Sequence, residues 1–390
     1  MAAQSSTIIN ARLPDRDGLH QLCLTAGRLT RIQPMDEAIA PDDASLDDVS
    51  LDVDGDWISP GGVDLQINGA LGLAFPDVAI AHLETLDKIC GFLWQQGVDA
   101  FLPTLVTTSL ENIHRALATV AAFGTQGGDR GARILGVHLE GPFLNPQKRG
   151  AHPAEHLRPL TLEQVSQVLA NYASLVKVIT LAPELDSSGQ VIPTLVNQGM
   201  IVSLGHSQAT AEQAKRAFDQ GASMVTHAFN AMPSLHHRQP GLLGAALTHP
   251  QVFCGVIADG VHVAPTMLDL LIRIGRGGRS PQSYPQGLFL VSDALAPLGL
   301  PDGRYPWDSR EIEVIQGTAR LADGTLSGTT LPLLAGVQYL VRQGICAPSE
   351  AIALATLAPR RALGLPAWPQ QEPIHLLRWK AQTLDWQRLP

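Results

Sequence analysis

"IVSLGHSQATAEQAKRAFDQG", residues 201–221, decides how the chain is read. Ile201–Leu204 is a short apolar run of strand character, and Gly205-His206-Ser207 breaks it. Thr210-x-x-Gln213 then gives a capping-box signature for a helix that Gly221 can stop. Strand, polar turn and helix form one unit, and two architectures use such a unit. In a parallel barrel His206 would close a strand at the catalytic mouth. In an α/β-hydrolase, Gly205-x-Ser207-x-Ala209 would be a nucleophile elbow, and Asp293 and His375 follow in the matching order.

The flanking sequence favours the barrel. From Pro60 onward, apolar runs alternate with amphipathic segments, the pattern of a parallel sheet. Eight strand candidates occur: 61–68, 100–107, 133–141, 176–184, 201–207, 223–230, 253–260 and 288–294. Eight is the number a closed (β/α)8 barrel needs. Between them, Ile80, Leu83, Leu86, Ile89 and Leu93 fall on one helical stripe, and Thr161-x-x-Gln164 is a second capping signature. The elbow has Ala209 where its last glycine belongs, and it leaves Glu140 and His227 without a role.

The two ends of the chain have a different texture. Segments 7–13, 20–33 and 50–60 alternate as short strands, with turn residues Pro14-Asp15, Gly27 and Asp42-Asp43. The tail, 373–389, alternates in the same way. The expected α/β fold is therefore a TIM-like barrel over 59–365, with a small β-sandwich domain built from 1–58 and 366–390.

A net charge of −9 argues against nucleic acid or an anionic membrane as partner. Cys23, Cys90, Cys254 and Cys346 are scattered without a C-x-x-C, which suits buried thiols in a reducing compartment. No secretory leader and no apolar run of about 20 residues is read, so a cytoplasmic, soluble protein is expected.

Nearly every candidate barrel strand ends in a reactive residue. His138 and Glu140, Glu184, His206 and Ser207, His227 and Asn230, Asp259 and His262, and Asp293 all close apolar runs. Glu140, His206 and His227 make the cleanest subset, because two imidazoles and a carboxylate leave a position for water in a zinc shell. Such a metal would lower the pKa of that water or polarise a carbonyl. The same ligands could hold non-haem iron in an oxygenase. Asp293 sits where a general base is needed, and barrel and base together favour hydrolysis. His236, His237 and Arg238 follow Asn230 as a local basic loop suited to phosphate or carboxylate. Ser327-Gly328-Thr329 reads as a small-residue turn entering a helix, whose N–H groups could bind substrate oxygens.

Six stretches together, 138–152, 202–210, 226–247, 257–263, 290–297 and 326–341, resemble the N-acetylglucosamine-6-phosphate deacetylases of the amidohydrolase superfamily. The resemblance runs in order from about Gly61 to Leu365. It implies hydrolysis of N-acetyl-D-glucosamine 6-phosphate to D-glucosamine 6-phosphate and acetate, by a homodimer with one divalent metal ion per subunit. Zinc is the expected ion, with iron or cobalt as alternatives. By the same resemblance, Glu140, His206 and His227 are the metal ligands and Asp293 the proton donor and acceptor. His152, preceded by Ala151, would contact the acetyl carbonyl. Asn230, Ala231, Arg238 and His262 would contact the sugar phosphate, with Arg238 reaching across the dimer, and Leu326, Ser327 and Gly328 would add substrate contacts. Members with His-x-His on the first barrel strand can hold a second metal. Here the slots are Gln66 and Asn68, poor metal ligands, so one metal is expected, with Gln66 as a neutral group behind its ligands, positioning water or contacting substrate. Another amidohydrolase acting on a cyclic amide, and a catalytically silent sugar-phosphate-binding barrel, are the competing functions.

Overall fold

The computed structural model describes residues 5–37, 49–124, 131–276, 287–370 and 372–389; the Asp42-Asp43 turn lies outside them. Eight parallel barrel strands alternate with eight helices. These are β1 (Gly62–Ile67), α1 (Leu83–Gln95), β2 (Val98–Val106), α2 (Leu110–Phe123), β3 (Val137–Glu140), α3 (Leu162–Leu169), β4 (Val176–Leu181) and α4 (Val191–Asn197). They continue with β5 (Ile201–Leu204), α5 (Ala211–Asp219), β6 (Met224–Val225), α6 (Gly241–Thr248), β7 (Phe253–Val256), α7 (Pro265–Arg276), β8 (Leu288–Leu290) and α8 (Leu333–Arg342). All eight strand candidates are present.

Each strand pairs with the next in chain order. The ring closes just beyond β8, where Ile67 bridges Ala294 and the amide of Asp293 donates to the carbonyl of Gln66 at 2.9 Å. The strands are covered on both faces, and every residue of β1 and β3 is buried. Both capping signatures are used: Thr210 and Gln213 form the reciprocal box at α5, and Thr161 caps α3 by accepting from the amide of Gln164. Leu86, Ile89 and Leu93 of the α1 stripe are buried. Ile80 is not, because it lies in a separate 3-10 turn before the helix and is 57% exposed.

Between β8 and α8 the chain makes a four-stranded antiparallel sheet: Gly303–Trp307, Arg310–Ile315, Thr318–Leu321 and Leu326–Thr329. The expected turn at 327–329 is thus the last strand of this sheet, paired with Thr318–Leu321. Thr329 also bridges Ala294, so the sheet is stitched to the barrel beside Asp293. Gly328 has φ +142, and a Cβ there would stand 2.6 Å from the Asp293 carbonyl oxygen. Only glycine lets the two backbones approach so closely.

The terminal segments form one seven-stranded sheet, in which Leu376–Trp379 runs antiparallel to Trp57–Pro60. Its core joins Ile8, Leu13, Leu22 and Ile58 to barrel residues Val63, Leu65, Ala100 and Leu102. Ion pairs reinforce this seam. Asp99, at the start of β2, accepts from Arg388 at 2.8 Å, from Arg360 at 3.1 Å and from the Gly61 amide at 2.8 Å. Asp56 pairs with Arg378 at 2.6 Å and with Lys380 at 3.0 Å.

Candidate active site

The C-terminal ends of the barrel strands converge on one mouth, as parallel topology requires. Three of the residues that turn the chain there adopt positive φ: His206 (48°), His227 (25°) and Asp293 (47°). The left-handed region disfavours such side chains by roughly 1–3 kcal/mol each, and it is held only where surrounding structure over-determines it. In each case the turn aims a polar side chain inward immediately after an apolar strand.

Glu140 ends β3, His206 follows β5 and His227 follows β6. The Glu140 Oε1 lies 3.2 Å from the His206 Nε2 and 3.0 Å from the His227 Nε2, and the two nitrogens are 3.0 Å apart. Corners of a tetrahedral zinc shell with bonds near 2.05 Å stand roughly 3.3 Å apart, so this donor set fits a divalent cation. The His206 Nδ1 faces the Lys148 carbonyl at 2.8 Å and must carry the proton there, which leaves the Nε2 lone pair pointing at the cluster. Burial alone would raise Glu140, yet the imidazoles of His206 and His227 beside it hold its carboxyl well below the usual range. Burial would likewise lower His227, but the hydrogen bond and charge of Glu140 outweigh it and raise the imidazole. The cluster is a buried anionic cradle that favours a cation among its members.

His152 also brings a donor atom within 4.8 Å of Glu140 and His206. Its tautomer gives it another role. The Thr107 amide donates to the His152 Nδ1 at 3.3 Å, so Nε2 bears the hydrogen and is a donor rather than a ligand. Burial, and then the neighbouring His206, push this imidazole down to about 3, so it is neutral in the physiological range.

Asp293 is pinned from below. The Asn68 amide donates to its Oδ1 at 2.7 Å, and the Gln66 Nε2 does so at 3.2 Å while also donating to the Glu140 Oε1 at 3.0 Å. Of its expected places, Gln66 takes the one behind the metal-ligand residues and not the one at the substrate. It is buried beneath the carboxylates, outside the cavity lining, with its amide hydrogens committed to Glu140 and Asp293. Burial, and then the charge of Glu140, raise Asp293 to about 6.

Other strand-end residues have structural roles. Both ring nitrogens of His138 are engaged, by the Leu65 carbonyl at 3.0 Å and the Thr180 hydroxyl at 2.8 Å. The Ser207 hydroxyl donates to Glu184 at 2.7 Å, and His375 packs against Trp94 in the terminal sheet region. The elbow reading fails on both counts.

Above the cluster is a cavity of about 560 Å³, within the usual range for a small-molecule site. Ala151, His152, Asn230, Ala231, His262, Asp293, Leu326, Ser327 and Gly328 all line it. Arg238 does not; it is exposed on its loop. No lysine or arginine lines the cavity among the described residues. Three buried polar atoms in the lining have no hydrogen-bond partner: the Asn68 Oδ1, the His227 Nδ1 and the His262 Nε2. Orphans of this kind mark where a ligand is to be met. The Nδ1 of His262 is oriented by Asp259 at 2.7 Å. The inserted sheet contributes Trp307, Asp308 and Ser309, which sequence reasoning missed. The alternation of Glu311, Ile312, Glu313 and Val314 was the available signal for that hairpin.

The amidohydrolase family model matches residues 57–367. Human N-acetylglucosamine-6-phosphate deacetylase is 39% identical over 327 residues, covering 82% of this chain and 77% of the relative. The N-acetylgalactosamine-6-phosphate deacetylase of Escherichia coli O157:H7 is 36% identical over 346 residues, covering 89% and 85%. Among solved structures, N-acetylglucosamine-6-phosphate deacetylase from Pasteurella multocida superposes with a TM-score of 0.81 at 26% identity, covering 99% and 100% of the two chains.

Proposed function

The chain belongs to the amidohydrolase family, and on that premise we propose that it hydrolyses N-acetyl-D-glucosamine 6-phosphate to D-glucosamine 6-phosphate and acetate. The convergence of Glu140, His206 and His227 within 3.2 Å, beside Asp293 and beneath a cavity of small-molecule size, carries this reading. Those three residues would hold one divalent metal ion, zinc or alternatively iron or cobalt. When bound, the ion lowers the pKa of a water and polarises a carbonyl.

The chain's own groups supply the remaining chemistry. Asp293 has Oδ1 fixed by Asn68 and Gln66, which leaves Oδ2 as the oxygen for a proton from the attacking water. A carboxyl raised to about 6 can also return that proton to the departing nitrogen. His152, donor at Nε2, bonds to the acetyl oxygen as negative charge develops on it. Asn230, Ala231, His262 and the 326–328 strand surround the sugar. Gln66 and Asn68 spend their amides on carboxylates, which supports one metal rather than two.

The 6-phosphate needs a cation that the lining lacks. A homodimer in which Arg238 of the partner subunit enters the mouth would provide it. In this proposal 59–365 is the hydrolase barrel, 1–58 and 366–390 make up the small domain, and the protein works in the cytoplasm. Among the described residues no helix is long and apolar enough to cross a membrane.

Acetate release from N-acetylglucosamine 6-phosphate, before and after chelation and zinc add-back, tests the reading. Release should disappear with chelation and return with metal; none from fully metallated protein would overturn it. The galactosamine isomer, run beside it, measures the sugar preference. Arg238→Ala should raise KM roughly tenfold or more with little change in kcat, and an unchanged KM would remove Arg238 from the phosphate site.

A further inference from the structure

The tip of the inserted hairpin reaches the loop that carries His152. Trp307 pairs with Arg310 across that tip, and Trp307, Asp308 and Ser309 line the cavity. The Arg310 Nη2 donates to the Ala151 carbonyl at 2.6 Å, a contact between residues 159 apart in the chain. The guanidinium is itself held in place: the Asp308 Oδ1 accepts from Nε at 3.0 Å and Oδ2 from Nη2 at 2.6 Å. A forked pair of this kind fixes the plane of the guanidinium, which lysine could not match.

His152 is buried and has other anchors. The Thr107 amide, just after β2, donates to its ring, and the Arg149 Nη1 donates to its carbonyl at 2.7 Å. Arg149, however, is three residues away on the same loop and moves with it. The His206 ring packs edge-on against the His152 ring, 4.5 Å between centroids, and its Nδ1 donates to the Lys148 carbonyl earlier on the loop. Thr107 holds the imidazole itself, and Arg310 holds the backbone immediately before it.

We propose that Arg310 is a positioning residue for this reaction: its Asp308-braced guanidinium grips the Ala151 carbonyl and fixes where His152 presents its Nε2–H. The inference rests on the deacetylase reading, because it gives His152 the acetyl oxygen to hold. A donor that must meet a developing oxyanion loses most of its effect when displaced by an ångström. Arg310 thus acts through His152 and touches no reacting atom.

A double-mutant cycle tests this. Arg310→Ala in the wild-type background should lower kcat roughly ten- to a hundredfold with KM changed little. The same change in a His152→Asn background should cost less than about twofold, since the group it positions is gone. Arg310→Lys, which can donate but not fork, should recover part of the loss. Equal factors in both backgrounds, or a single-variant loss under twofold, would overturn the proposal. Hydrogen exchange on the metal-loaded protein gives a readout independent of turnover: the amides of 150–152 should exchange faster in Arg310→Ala, and unchanged exchange would overturn the clamp. If wild-type protein released no acetate, the deacetylase reading would fall while this exchange result still decided the contact.

Discussion

Carboxylates gather at both ends of the barrel strands, and the two groups are treated in opposite ways. At the seam with the terminal sheet, Asp99 meets two guanidinium groups and a backbone amide, so its charge is neutralised by the chain itself. At the mouth, Glu140 and Asp293 receive amide hydrogens and face imidazoles, and no lysine or arginine among the described residues lines the cavity they open into. Burial raises Asp293 to about 6, whereas burial of Asp56, within the terminal sheet beside the seam, is outweighed by Lys380 and Arg378. One end is neutralised in charge by the chain's own arginines, although the Arg360 Nε has no hydrogen-bond partner. The other is left electrostatically incomplete, so that a cation and a substrate finish it.

The sharpest way to break this contrast is Asp293→Asn. The variant should lose roughly a hundred- to ten-thousandfold in turnover while metal content stays at one equivalent, because an amide neither takes nor returns a proton. Its stability should move the other way. A carboxyl whose folded pKa is raised to about 6 favours folding while protonated, and that contribution is lost as pH rises from the ordinary aspartate range through 6. Metal-free Asp293→Asn should therefore unfold at higher temperature than metal-free wild type at pH 8. Equal or lower stability would show that the mouth carboxylate carries no such cost.

How much of this could be read beforehand differs between the two ends. Glu140, His206, His227 and Asp293 were legible because each closes an apolar run, and a parallel barrel sends all strand ends to one place. The roles of Gln66 and Asn68 were half legible: alternation put them on one face, but not which carboxylates they hold. Arg310 was not legible, since an arginine in a charged hairpin looks solvated until the fold brings it to Ala151. The seam was hidden for the same reason. Arg360 and Arg388 carry no local pattern that distinguishes them from surface arginines, and their meeting with Asp99 is a product of closure. Ile80 shows the converse, an apolar residue on a helical stripe that the backbone leaves before the helix begins.

Asp99→Asn tests the neutralised end. It should cost about 1–3 kcal/mol of unfolding free energy, because the buried Arg360 and the partly buried Arg388 would keep their charges without the carboxylate. Denaturant midpoints measure this, and kcat/KM of the protein that remains folded should be unchanged. If the folded fraction lost activity in step with stability, the two ends would not be separable as claimed.

The smallest effect is the pH signature of Asp56. Hydrogen bonds from Lys380, Arg378 and the Ala381 amide hold its pKa below the ordinary value against the opposing effect of burial. A depressed folded pKa means the contribution is fully present above the unfolded pKa and disappears as pH falls through the lower, folded value. Wild type should thus exceed Asp56→Asn in stability at pH 7, by on the order of 1 kcal/mol, and the gap should close below about pH 4. This is the reverse of the Asp293 trend, where the variant gains as pH rises. Should both pairs of curves slope the same way, the contrast between a self-neutralised seam and an open mouth would reduce to burial alone.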